Sequence, residues 1–314
     1  MEKIKINFTD FWPGFKKEDN FFLNLLSTKY DVELSDNPDF LIYSYRGQEF
    51  RNYKCIRIKF LGENIRPDFK ECDFAFSFDF LPDNPNNFRL PLYALYDDMA
   101  KLVNKRRDYK EILKTKTKFC CFVVSNKFAP ERNKFFRLLS KYKRVDSGGR
   151  FMNNIGGPVE NKVEFLKEYK FAIAFENSSY PGYTTEKILE PLLVDSIPIY
   201  WGNPLVYKDF NTNCFINCHD YKNMKEVIEK IIELDNNDDL LKDYLTRPIF
   251  PNNELPEYVD NKNILQQFDY IFKKANEITP VGTIYTKNKK IQRYLLHKTK
   301  RAKMKLKYYF KEIL

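Results

Sequence analysis

The chain has 314 residues, room for two domains of ordinary size, and a 43% hydrophobic share, with 29 Phe and 21 Tyr, that is enough to fill their cores. With 10 Gly and no internal repeat, the composition argues against a fibrous or linker-type protein. The formal charge of +10 is localised: Lys287–Leu314 carries 11 Lys and Arg against Glu312 alone, so the body is balanced and a basic nucleic-acid-binding body is excluded.

The N-terminal MEKIKINF begins on an alternating strand pattern with no secretory core, and no stretch approaches the roughly 20 apolar residues that span a bilayer. A chain kept on the cytosolic side is expected. Strand-like runs follow at Lys3–Phe8, Asp39–Ser44, Cys55–Phe60 and Phe74–Phe80. A helical, charged stretch at Leu92–Asp108 closes the first half. Further strands are predicted at Lys118–Ser125, Phe171–Phe175 and Ile197–Trp201. Helix-like segments at Glu131–Tyr142, Lys162–Tyr169, Thr184–Val194 and Asn223–Glu233 lie among them. Such alternation predicts parallel sheets with helices on their faces. Pro191 falls inside one predicted helix, where a kink or an early end is expected. Pro248, Pro251 and Pro256 then break the chain, Asn263–Asn276 reads as helix, and the composition turns basic after Pro280. The expected organisation is an α/β domain over 1–116, a second over 117–280, and a basic amphipathic tail over 281–314.

Six cysteines lie mostly in apolar runs, where Cys acts as a small hydrophobe. Cys214, Cys218 and His219 suggest a metal corner, yet the chain has only two His and no second ligand pair, so no metal site is expected. Gly148-Gly149 and Gly156-Gly157 do not fit a P-loop and read as turns. Asp97-Asp98 reads as a solvated helix face or a cap.

One joint is unusually polar. Between the strand Phe171–Phe175 and the helix starting near Thr184 stand Glu176, Asn177, Tyr183, Thr184, Thr185, Glu186 and Lys187. Ligands of open α/β sheets bind beyond the carboxyl ends of strands, and a helix start favours an anion. Lys187 in the first turn is not favoured by the helix dipole, a cost that a nearby phosphate relieves. Residue types alone leave two readings open, a nucleotide site and an ordinary capped loop.

The stretch also resembles the donor-binding signature of the α1,3/α1,4-fucosyltransferases, specifically the bacterial members. The matching segments are Phe175-Glu-Asn-Ser178, Tyr183-Thr-Thr-Glu-Lys-Ile188, Ile197-Pro-Ile-Tyr-Trp-Gly202 and Asp209-Phe-Asn211, with Ile173 where the pattern has Phe. Upstream, Glu131-Arg-Asn133, Asp146-Ser-Gly-Gly149 and Phe60-Leu-Gly-Glu-Asn64 with Pro67 are similar too, so the likeness covers roughly residues 40–220. The resemblance implies an α/β fold of the GT-B type, with two Rossmann-like domains facing a cleft, the first binding acceptor and the second GDP-fucose. It implies inverting transfer of fucose from GDP-β-L-fucose to an acceptor containing Galβ1-4GlcNAc, with no cofactor or metal required. Glu63 is the implied general base, although by residue type alone it reads first as a turn carboxylate. Arg132 and Lys187 are the implied diphosphate ligands. Asn177 and Tyr183 are implied to place sugar and phosphate, Glu186 to hold ribose or fucose hydroxyls, and Ser125 and Asn126 to lie under the guanine, while Tyr183 reads equally as a packing residue. A non-catalytic glycan- or nucleotide-binding module, or a GT-B transferase with another sugar donor, is the alternative.

In the tail, Ile291, Tyr294, Leu295, Ala302, Leu306, Tyr309 and Ile313 share one helical stripe amid Lys and Arg. Residues 288–314 therefore predict attachment to an anionic membrane surface, at the inner face of a bacterial membrane. No nucleic-acid partner is expected.

Overall fold

The computed structural model describes residues 2–105 and 107–284. The predicted tail stripe lies outside them. The described residues form two compact units: 2–90 together with 258–284, and the described part of 91–257.

In the first unit, β1 (Lys3–Thr9), α1 (Phe21–Ser27), β2 (Asp31–Leu34), β3 (Phe40–Tyr43), β4 (Ile56–Leu61), β5 (Phe74–Ser77) and β6 (Asn87–Arg89) follow in order. The strands form one sheet, β2-β1-β3-β4-β5-β6, and every pair is parallel. Strands β3, β4 and β5 are buried throughout, as a sheet covered on both faces requires. Two cations in β4 are balanced locally. The Arg57 guanidinium donates to the Tyr53 carbonyl at 2.8 Å, and Lys59 lies 3.8 Å from Glu71, which Arg51 also pairs at 2.9 Å. The sequence pattern misses β2 and β6 because both are short edge strands with partly exposed side chains.

The second unit opens with two 3-10 turns, Leu92–Leu95 and Asp97–Leu102, where one continuous helical stretch was expected. Then come α2 (Tyr109–Thr115), β7 (Lys118–Phe122), α3 (Pro130–Leu139), β8 (Val145–Ser147), α4 (Lys162–Leu166) and β9 (Tyr169–Phe175). After them come α5 (Glu186–Leu193), β10 (Ile197–Trp201), β11 (Ile216–Asn217), α6 (Met224–Asp235) and α7 (Asp238–Thr246). The sheet runs β8-β7-β9-β10-β11, all parallel, and so repeats the winding of the first five strands of the other unit. Its core stacks Phe122 on Phe136 and Phe135 on Phe175, with ring centroids 4.8 and 4.7 Å apart. Helix α5 continues through Pro191 and ends two residues later. The next turn places Asp195 in the left-handed region at φ 57°, where its carboxylate meets Lys105 at 2.9 Å and Arg107 at 3.0 Å.

Helix α8 (Asn261–Ala275) returns to the first unit. Its Phe268 packs on Phe76 at 4.9 Å and Phe272 on Phe40 at 4.5 Å, covering one face of that sheet. The short α9 (Val281–Ile284) is tied there by the Val281 N–H, which donates to Asp73 at 2.8 Å. The division differs from the expected 1–116 and 117–280 at both ends. Residues 91–116 pack with the second unit, where Tyr93 meets Phe210 at 4.9 Å, and α8 fills the first unit's core.

Candidate active site

Both sheets have a topological switch point where the winding reverses, and ligands of such sheets bind in the crevice beyond the strand ends there. In the second unit it lies between β7 and β9. The loops that follow these strands, 123–129 and 176–185, carry most of the residues singled out from sequence.

The loop after β9 is built around a buried carboxylate. Glu176 is fully buried and accepts from the Thr185 N–H at 2.8 Å, the Thr185 hydroxyl at 2.8 Å and Lys187 Nζ at 3.2 Å. It thereby occupies part of the N-terminus of α5, where exposed N–H groups favour an anion. Burial pushes the Glu176 carboxyl up, against the pull of Lys187. For Glu186 burial acts the same way but is outweighed by Lys187 and Lys162, which hold its carboxyl below the usual range. Lys187 is 3.4 Å from Glu186 and also donates to the Thr185 hydroxyl at 2.9 Å. The unfavourable first-turn cation is thus balanced within the chain. Gly202 is needed beside Glu176, because a Cβ there would meet Glu176 Cγ at 2.3 Å.

A second buried network holds the same loop from below. The Thr184 hydroxyl donates to Asp209 at 2.8 Å, and Asn203 Nδ2 donates to the Thr184 hydroxyl at 2.9 Å and to Asp209 at 3.1 Å. The Asn203 side-chain oxygen accepts from the Gly182 N–H at 2.6 Å, and Tyr200 donates to the Tyr183 carbonyl at 3.3 Å. This explains much of the polarity of the stretch: Thr184, Thr185 and Glu176 shape the loop. Tyr183, expected either as a donor ligand or as a packing residue, is fully buried.

Across the crevice, Arg132 stands in the first turn of α3 and is 1% exposed. It donates to the Asn126 carbonyl at 2.6 Å and to Asn177 Oδ1 at 3.1 Å, tying the two crevice loops together. Asn126 Nδ2 reaches the same Asn177 oxygen at 3.4 Å, while Ser125 and Asn126 are exposed. Behind this loop, a Cβ on Gly149 would fall 1.9 Å from the Val124 carbonyl oxygen, so the backbone approach requires glycine. The structure thus brings together Asn126, Arg132 and Asn177 as one group and Glu186 with Lys187 as another, both at one crevice.

Glu63 belongs to the other unit. It follows β4, at the carboxyl edge of the first sheet, and is half-buried in a turn where the Ile65 N–H donates to its carbonyl. Residue type alone gives no role to Asn203 or Tyr200, although Tyr200 opens the Tyr-Trp-Gly run and Asn203 follows it. Among the described residues no cluster of three or more His, Cys, Asp or Glu is placed to hold a metal ion. His219 instead accepts from the Gly202 N–H at 3.3 Å and stacks on Trp201, while Cys214 and Cys218 are buried.

Two parallel sheets of like winding are the elements of which the GT-B class of glycosyltransferase folds is built. A crystal structure of α1,3-fucosyltransferase with GDP-fucose is similar at 30% identity and a TM-score of 0.74, covering 86% of this chain and 91% of that one. Residues 6–96 match the model for the α-(1,3)-fucosyltransferase FucT N-terminal domain, and residues 113–248 that for the C-terminal part of glycosyltransferase family 10 (fucosyltransferase). The chain belongs to glycosyltransferase family 10. The α-(1,3)-fucosyltransferase FucT of Helicobacter pylori is 35% identical over 73% of this chain and 56% of its own length. A 3-galactosyl-N-acetylglucosaminide 4-α-L-fucosyltransferase of Bos taurus is 33% identical over 39% of this chain and 34% of its own. The chain therefore spans little more than half of the first of these relatives and a third of the second.

Proposed function

We propose that this chain transfers L-fucose with inversion from GDP-β-L-fucose to a GlcNAc hydroxyl of an N-acetyllactosamine-type acceptor. The product is an α1,3 linkage of the Lewis x kind in a surface glycan. The observation that carries the reading is the second unit's switch point, where Lys187 and Glu186 stand at the start of α5 and Arg132 and Asn177 stand opposite.

In this reading the acceptor O–H loses its proton to the Glu63 carboxylate as its oxygen attacks fucose C1. The C1–O bond to GDP breaks on the opposite face, and GDP leaves with the electron pair. Lys187 meets the charge that develops on the diphosphate. Arg132, being buried, holds Asn126 and Asn177 at the ligand and lends its charge from beneath the loop. Glu186 receives sugar hydroxyls, and Ser125 and Asn126 take the base. No cofactor enters the scheme.

The test is GDP release from GDP-fucose with and without N-acetyllactosamine. Acceptor-dependent release that falls at least about 100-fold in Lys187→Ala is expected, the loss typical of a group that stabilises transition-state charge. Release that survives in the variant would remove Lys187 from the mechanism. Product linkage, read by NMR, decides against an α1,4 preference of the kind named for the bovine relative. We further propose that residues 288–314 carry the chain to the cytoplasmic face of an anionic membrane. Co-sedimentation with anionic vesicles, lost on truncation after residue 284, is the expected result; equal pelleting of both forms refutes it.

A further inference from the structure

We infer that Trp12 is a stacking platform for a sugar of the acceptor, and so a positioning residue outside the segments that carry the family resemblance. The inference rests on the fucosyltransferase reading and extends it to the first unit. There the switch point lies between β1 and β3. Among the described residues of this unit, the exposed large apolar side chains are Trp12, Leu34, Ile65 and Tyr270. Three of these four, all but Tyr270 on α8, stand at or just past the carboxyl end of a strand. Apolar surface is thus exposed along the edge where a ligand binds.

Trp12 is held as a platform should be. It meets Phe11 and Phe15 edge-on, each at 5.4 Å, and those two rings stack on each other at 3.9 Å. Phe11 in turn stacks on Phe60 of β4 at 6.3 Å. The loop itself is clamped. Asp10 lies in the left-handed region at φ 62°, a conformation unfavourable for a residue with a Cβ. Its carboxylate accepts from the Glu49 and Phe50 N–H groups at 3.0 and 2.8 Å, and its carbonyl accepts from the Arg46 N–H at 2.9 Å. A Cβ on Gly47 would lie 2.0 Å from Asp10 Oδ1, so the loops after β1 and β3 close on each other only with glycine there.

The spacing fits a disaccharide. Strands β1 and β4 flank β3, so their ends lie about 10 Å apart at the usual spacing of neighbouring strands. Glu63 stands two residues past β4. A pyranose ring presents an apolar face of C–H groups, which packs on an exposed indole while its hydroxyls stay wet. With one ring on Trp12, the next sugar of a short acceptor extends toward Glu63, its hydroxyl within reach of the base.

The experiment measures transfer to N-acetyllactosamine and, separately, GDP-fucose hydrolysis without acceptor, for wild type, Trp12→Ala and Trp12→Tyr. Expected is an acceptor KM raised about tenfold in Trp12→Ala, with donor KM and hydrolysis within about twofold of wild type, and most of the loss recovered by Tyr. The chain has two Trp, and N-acetyllactosamine should change the emission of wild type but not of Trp12→Phe. An unchanged acceptor KM in Trp12→Ala overturns the platform. So does hydrolysis that falls in step with transfer, which would make Trp12 a general structural residue. If wild type released no GDP from GDP-fucose, the fucosyltransferase reading itself would fall. Normal hydrolysis with an unaltered acceptor KM removes only Trp12.

Discussion

The two units wind their sheets alike, but they finish the ligand edge in different materials. The second unit closes it with buried charge: Glu176, Thr184 and Asp209 are all buried, and each is hydrogen-bonded. The first unit finishes it with rings, Trp12, Phe11 and Phe15, one of them exposed. A shared scaffold therefore says little about ligand, because recognition resides in the edge loops. A diphosphate asks for fixed dipoles and charges, which a buried network can hold still. A neutral sugar asks for an apolar face and tolerates sliding on it.

Three variants test this contrast, beginning with the largest effect. Glu63→Gln is expected to lower acceptor-dependent turnover about 10²–10⁴-fold, the usual contribution of a general base, with little change in Tm or donor KM. A variant that loses donor affinity as well would show that the first unit's edge does not act on the acceptor alone. Glu176→Gln should act on stability instead. It leaves Lys187 without its buried partner, though Glu186 stays near, so a loss of about 2–3 kcal/mol in urea unfolding is expected, below the full cost of an unpaired buried charge. An unaltered unfolding midpoint would mean that the network orders nothing.

The smallest effect concerns Lys116, which closes the opposite end of the second unit. Its Nζ donates to the Lys167 and Val194 carbonyls at 2.7 and 2.6 Å and to the Ser196 hydroxyl at 3.1 Å. Burial lowers its pKa from 10.5 to about 8. Between those values the unfolded chain binds more protons than the native one, so this residue makes stability rise with pH. The stability difference between wild type and Lys116→Met should therefore shift by about 2 kcal/mol in favour of wild type from pH ~8 to ~10. A difference that stays flat with pH would show that Lys116 is not held as described.

Legibility in the sequence followed burial. Strands β7, β9 and β10 announce themselves because both faces are covered and apolar residues run on with little alternation, whereas β4 reads as a strand because Ile56, Ile58 and Phe60 alternate with Arg57 and Lys59. The edge strands β2, β8 and β11 are two to four residues long, too short to show a period. The stretch 176–187 was legible as an unusually polar joint beyond the carboxyl end of a strand. Its interior was not, because Asp209 and Asn203 reach Thr184 from separate turns further along the chain. The same holds for Arg132: its place on a helix start could be read, but its burial under Asn126 and Asn177 depends on tertiary folding. The helical pattern at 263–276 was equally plain, and nothing in its own residues says which sheet its Phe face will cover.

That last feature bears on the order in which the molecule is made. Because α8 packs with β3 and β5 although the second unit lies between them in the sequence, residues 91–257 are an insertion within the first unit. During synthesis the inserted unit is complete while the surrounding one still lacks a helix. The first sheet, with Phe40 and Phe76 awaiting their cover, must keep that face from other partners until about 185 more residues have followed β6, at a usual pace of ≈ 5–20 residues/s. The unit that begins first is thus finished last, and a ribosome stalled before residue 261 would release a chain with one sound unit and one sticky one.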